Sequence, residues 1–276
     1  MVVGVDTAEV GMLRHVDDAK RRAALALVRT GRLYDLAHVL DETVPVFPGR
    51  YFRQSLVTTA HHANGGGVGG NQVNWITEVF TATTQLGTHL DALSHLQAGD
   101  AGYGGWTVAE LASPSGVTRL GAETIPQIVT RGWLVDVSHR KPGRGDVIGV
   151  DDLAGIDPEP GDAVLFHTSW SSRWHDPDAY LSGEPGPGYE AAEWLAERGV
   201  ALTGCDTWSY GPVPAEDPAR PFEVPQLLNV RHGVFVVENL RTAELAADGV
   251  REFALVLTHP KLRGATGAWV SPIALV

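Results

Sequence analysis

The chain has 276 residues and a mass of 29.5 kDa, and at 43% hydrophobic and 20% charged it carries enough apolar residues for a sizeable core, which excludes an intrinsically disordered chain. Its 33 acidic residues against 21 Lys and Arg give a net charge of -12, which argues against nucleic acid and against an anionic membrane surface as partners. A single cysteine, Cys205, excludes an intramolecular disulfide and a thiolate zinc cluster.

Residues 8–29 carry an imperfect helical stripe of Leu13, Val16, Ala19, Ala23, Leu25 and Ala26. The longest uncharged apolar run there, residues 23–28, is too short for a signal-peptide core, and no run reaches membrane-span length, so a cytoplasmic protein is expected. Residues 33–40 read as a strand, followed by a turn-rich piece that ends in Pro48-Gly49. Residues 54–59 and 76–84 read as strands on either side of a glycine-dense segment that begins at His61-His62 and includes Gly65–Gly70. That segment reads as a mobile loop or flap. It lacks the strand and helix that frame a dinucleotide fingerprint, which argues against nucleotide binding. Short apolar runs at 133–137, 163–167, 200–203, 233–237 and 253–257 suit buried strands, and 188–199 reads as a helix closed by Gly199. The pattern is mixed α/β, with an N-terminal helical segment over 1–32 and a single domain over 33–276.

The densest group of chemically active side chains is Thr84-Gln85-Leu86-Gly87-Thr88-His89-Leu90-Asp91-Ala92-Leu93-Ser94-His95. His89 and Asp91 share a face if the segment is extended, whereas Asp91 and His95 share one if a helix starts here. One imidazole with carboxylate and amide oxygens is a plausible first shell for a divalent cation, and the remaining histidine is placed to take a proton from a water. Asp-x-x-x-His alone is common on protein surfaces. The rarer feature is four such groups around Gly-Thr.

The string Gln-x-Gly-Thr-His-x-Asp-x-x-x-His resembles the His-x-Gly-Thr-His-x-Asp-x-x-x-His signature of the metal-dependent cyclase family, which includes kynurenine formamidase, isatin hydrolase and trans-dienelactone hydrolase. Further stretches resemble the same family: Tyr34-Asp35-Leu36, Val46-Phe47-Pro48-Gly49, Gly161-Asp162-Ala163-Val164-Leu165, Gly204-Cys205-Asp206-Thr207, Val237-Glu238-Asn239-Leu240 and Leu262-Arg263-Gly264-Ala265-Thr266-Gly267. The resemblance implies a swivelling β/β/α fold, a mixed sheet core with packed helices, and a homo-oligomer, dimer or tetramer. It places His89 and Asp91 at the metal and His95 at the catalytic acid–base position. Gln85 stands where many members have a metal-binding histidine. Gln226 stands near a second such histidine that this chain lacks, and is the substitute oxygen ligand. Glu238 matches a glutamate that helps hold a second zinc in some members. With both histidines absent, one metal is expected. The hard donor set favours Mn²⁺, with Zn²⁺ the alternative.

Among other residues, Trp75 lies between the glycine segment and the signature and is the candidate for stacking on a planar substrate. His167 ends a predicted strand, where it either lines the pocket or is a hydrogen-bonded core residue. Cys205 on its apolar strand reads as an inert buried thiol. Ser169 lacks the glycines of a nucleophile elbow, which argues against serine-hydrolase chemistry. The expected activity is metal-dependent hydrolysis of a cyclic or aryl amide or ester (a lactone, lactam or formamide), with His95 as acid and base. The alternatives are a metal-poor small-molecule binding protein, or a cyclase or lyase of a biosynthetic pathway.

Overall fold

The computed structural model describes residues 9–59 and 67–276. His61 and His62 and the first glycines of the glycine-dense segment lie outside the described residues.

The strands that matter for the site are β1 (Leu33–Asp35), β2 (Phe52–Thr59), β3 (Ile76–Ala82), β4 (His89–Asp91), β5 (Ile128–Asp136), β6 (Ala163–His167), β7 (Leu202–Cys205), β8 (Phe235–Glu238), β9 (Glu252–Leu257), β10 (Gly267–Trp269) and β11 (Ile273–Leu275). All but β2 and β3 form one nine-stranded sheet in the order β1-β11-β9-β5-β6-β7-β8-β4-β10. Its centre, β5-β6-β7-β8, is parallel, and every pairing outside that centre is antiparallel. β6, β7 and β8 are buried on both faces, which is why they read as continuous apolar runs, whereas burial alternates along β5. Alternate residues feed two cores. Leu165, Leu202, Phe235 and Val237 enter one, and Val164, Phe166, Cys205 and Val236 enter the other.

Helix α2 (Tyr189–Glu197) covers the second core with Ala191, Ala192, Leu195 and Ala196, and Gly199 closes it at φ +71°. The N-terminal stripe forms two pieces, a 3-10 turn over Gly11–His15 and helix α1 (Asp18–Leu25). The break comes where the Asp17 carboxylate takes the Lys20 amide at 2.8 Å and starts a new helix. Helix α1 lies against β5 and β9. Lys20 reaches the fully buried Asp162 at 2.5 Å, and Arg131 Nε of β5 donates to the same carboxylate at 2.8 Å.

Several strand bounds shift: the expected 133–137 is the end of a strand that begins at Ile128, and 233–237 becomes Phe235–Glu238. β1 stops at Asp35 because its own carboxylate accepts the Ala37 amide at 3.1 Å and turns the chain. β10 and β11 have no apolar run long enough to announce them. β2 and β3 form a separate hairpin with exposed Leu56, Ile76 and Phe80. Among the described residues, no helix is long and apolar enough to cross a membrane.

Candidate metal centre

The signature is extended at its centre. His89 and Asp91 lie on β4, so the two-residue period turns both side chains to one face while Leu90 enters the core on the other. Strand β8 runs antiparallel to β4 with Glu238 opposite His89, and cross-strand partners share a face. Two local rules thus bring three groups together across 147 residues of chain, the interval from Asp91 to Glu238. Their ligand atoms lie within 4.8 Å of one another. His89 Nε2 stands 3.3 Å from a Glu238 oxygen and 3.6 Å from an Asp91 oxygen. All three residues are buried.

Gly87 sets the histidine's orientation. It adopts φ +57°, a backbone conformation that favours glycine, and a Cβ there would also press on a Leu40 methyl. Its carbonyl accepts the His89 Nδ1 proton at 2.9 Å, which leaves Nε2 as the lone-pair atom facing the carboxylates. Burial holds the imidazole below its ordinary pKa and hence neutral, the form that ligates metals. Burial also pushes the Glu238 carboxyl well above the carboxylate range, and the Asp91 charge adds to this.

These residues fit a divalent cation on an observation independent of any relative. His89 Nε2 and Asp91 Oδ1 are buried without a hydrogen-bond partner. An apolar surrounding penalises such atoms by about 1–3 kcal/mol each unless something pairs with them. One imidazole nitrogen and two carboxylates supply the partners a dication needs.

A cavity of about 150 Å³ opens on this group, lined by Phe47, Arg50, Asp91, His95, Trp208 and Glu238 among others. His95 therefore shares a cavity with both carboxylates. Trp208 and Ser209 are fixed from behind by Glu184, which accepts Trp208 N at 2.6 Å, Ser209 N at 2.9 Å and Ser209 Oγ at 2.6 Å. Burial pushes the Glu184 carboxyl up to about 8, outweighing the downward pull of those three bonds.

The other expected site residues are placed differently. Gln85 is buried next to the motif, but its amide is engaged: Nε2 donates to Thr266 Oγ1 at 2.9 Å, and Oε1 accepts Thr84 Oγ1 at 2.9 Å. Gln226 is not brought to the group. It lines a neighbouring cavity with Tyr189 and Arg231, and its Nε2 donates to the Gln97 carbonyl at 2.7 Å. Trp75 is 45% exposed and does not line the cavity. His167 is a buried core residue, bonded through Nδ1 to Thr242 Oγ1 at 2.8 Å and beside Asp206 at 3.4 Å, with Nε2 3.2 Å from Ser169 Oγ. Cys205 is buried, and burial raises its thiol well above the ordinary range. Reading the residues in line gave Glu238 a supporting part and gave none to Arg50 or Trp208. Only the register of β8 on β4 reveals the first. The Pro48-Gly49 turn next to Arg50 is the one sequence signal for the second.

The fold has known counterparts. A structure described as a novel cyclase is 28% identical to this chain, covers 97% of it and 96% of that chain, and superposes with a TM-score of 0.86. Isatin hydrolase A from Ralstonia solanacearum is 23% identical over 92% of this chain and 95% of that one, with a TM-score of 0.68. A structure described as a potential metal-dependent hydrolase with cyclase activity is 20% identical over 88% and 98%, with a TM-score of 0.58. At such identities the last two share the fold. None of the curated proteins matches the chain. The model of the Cyclase family, however, matches residues 34–212, a span that holds the whole signature and well over half of the sequence: the chain belongs to the Cyclase family.

Proposed function

We propose that the chain is a metal-dependent hydrolase that opens a cyclic or aryl amide or ester. The observation that carries this reading is the buried convergence of His89, Asp91 and Glu238, with two partnerless ligand atoms, on a cavity that also holds His95. His89 Nε2, Asp91 and Glu238 would hold one ion, and Gln85 would brace β10 through Thr266. The hard donor set favours Mn²⁺, with Zn²⁺ next. Such an ion supplies Lewis-acid polarisation of a carbonyl and a water of lowered pKa.

The chain's own groups do the rest. Gly87 keeps the His89 lone pair aimed inward by holding its Nδ1 proton. His95 takes the proton of the attacking water and returns it to the leaving nitrogen or oxygen. Phe47 and Trp208, 5.7 Å apart between ring centroids, form an apolar wall that keeps bulk water from the reacting carbonyl. Ring opening of lactones and lactams ranks ahead of arylformamide hydrolysis, because the chain lacks the histidines of a two-metal site.

The test loads the protein with Mn²⁺, measures bound metal by mass spectrometry, and assays a panel of lactones, lactams and formamides in isotopically labelled water. We expect about one metal per chain and label in the product carboxylate. His95→Ala should keep the metal and lose about 10²–10⁴ in turnover. A His95→Ala protein with full turnover, or product without label, refutes the mechanism.

A further inference from the structure

The cavity contains a cation that the hydrolytic reading leaves without a task. Phe47-Pro48-Gly49-Arg50 is a tight turn closed by Arg50 N to Phe47 O at 3.0 Å. Proline at its second position and Gly49 at φ +88° are what a type II turn requires. A Cβ at Gly49 would meet nothing within 4 Å, so the backbone angle alone calls for glycine. The turn sets Phe47 and Arg50 side by side on the cavity wall. Arg50 is then held twice. Its Nη1 donates to the Gln85 carbonyl at 2.6 Å, and its guanidinium carbon stands 5.6 Å from the centre of the Phe47 ring.

One of five N–H donors is used in that bond. Among the described residues, no carboxylate forms an ion pair with Arg50, although Asp91 and Glu238 line the same cavity. Those two carboxylates instead approach His89. Charge counting shows what remains. Arg50 contributes +1 against Asp91 and a Glu238 carboxyl held toward its protonated form, so without metal the cavity wall has no net positive charge to offer an anion. A dication on the carboxylates turns this to +1, and the unspent positive charge is the guanidinium, immobilised and facing the cavity.

Resting on the hydrolase reading, we infer that Arg50 receives a carboxylate carried by the substrate, which makes the substrate class an anionic acyl compound and not a neutral one. A planar guanidinium with free parallel donors is the side chain best matched to a carboxylate. The inference also requires that anion binding depend on metal, and the dependence must be reciprocal.

The test compares wild type, Arg50→Met and Arg50→Lys, each loaded with Mn²⁺ and assayed for metal content. Calorimetry then measures binding of hippurate, which has an amide and a carboxylate, and of its neutral amide, hippuramide. Arg50→Met should keep its metal, lose about ten- to a hundredfold in hippurate affinity, and bind hippuramide within about twofold of wild type. Arg50→Lys should recover part of the loss, because it restores charge without the planar fork. Metal-stripped wild type should not bind hippurate. Several results overturn the inference: hippurate bound equally by Arg50→Met and wild type, both probes weakened alike, or a metal-loaded wild type that ignores hippurate. A wild type that takes up no metal overturns the hydrolase reading itself, and this inference with it.

Discussion

Glu238→Gln separates a metal ligand from a structural carboxylate, because the two roles give opposite signs. Asp91 and Glu238 offer oxygens within 4.8 Å of each other and of His89 Nε2. At that span a second negative charge beside Asp91 would cost about 3.5 kcal/mol with an effective dielectric near 20, so the metal-free fold must either bear that repulsion or keep Glu238 protonated against its ordinary pKa. Glutamine keeps the shape and removes either cost. Its amide can also donate to Asp91 Oδ1 or His89 Nε2, both now partnerless. Without metal, the variant should therefore be more stable than wild type by about 1–2 kcal/mol, a few degrees in melting temperature for a chain of this size. With metal the order reverses. An ion at a hundred times its dissociation constant adds about 2.7 kcal/mol to wild type. A variant that binds a hundredfold more weakly gains only about 0.4 kcal/mol at the same concentration. Thermal melts in chelator and across a Mn²⁺ series should thus cross: wild type lower without metal, higher with it. A Glu238→Gln protein that melts lower in chelator and still gains the full metal shift would show that Glu238 braces the sheet and holds no ion.

Other perturbations follow from the same geometry. The double variant His89→Ala/Asp91→Ala should retain less than about a tenth of the wild-type metal by mass spectrometry, since it loses one imidazole and one of two carboxylates. His38 stacks on Trp174 at 3.8 Å, and burial holds its imidazole down to about 4. Its folded pKa lies below the ordinary 6.5, so its stabilisation is complete above pH 6.5 and is lost as pH falls toward 4, by at most about 3 kcal/mol. His38→Phe keeps the stack and should flatten denaturant-derived stability across that window; an unchanged slope would clear His38 of the effect. Glu184→Ala strands the buried Trp208 and Ser209 amides and should destabilise by about 3 kcal/mol in urea melts, while raising KM more than it lowers kcat because those residues line the cavity.

Most of the parallel centre of the sheet was legible because β6, β7 and β8 are buried on both faces, whereas the alternating first half of β5 was not. Residues 163–167 read as a strand and form β6 with those bounds. The helix before Gly199 was legible because stripe and cap agree. The two-part N-terminus was not, since Asp17 fits a helical stripe as well as it caps a new one. Within the signature, His89, Asp91 and His95 were visible from spacing, whereas the choice between a strand and a helix at that point was open. β4 resolves it: His89 and Asp91 are neighbours through the strand period, and His95 reaches the cavity after the turn that its amide closes on the Ala92 carbonyl at 2.9 Å.

Glu238 shows why the rest could not be read in line. A carboxylate at the end of an apolar strand is ambiguous by itself. Its meaning depends on β8 being the last parallel strand and on β4 returning beside it antiparallel, in the register Glu238 to His89. Register is binary for such a group, because a slip of one residue sends every side chain to the other face. What fixes it is the other face. Leu90 lies opposite Val237, and both belong to the main core, so a one-residue slip that removed Glu238 from His89 would also turn that apolar pair out of the core. The hydrophobic pairing therefore places the carboxylate against its electrostatic preference in the absence of a cation. An ion held there would relieve that repulsion without having to set the geometry, and binding energy otherwise needed to order ligands would appear as affinity.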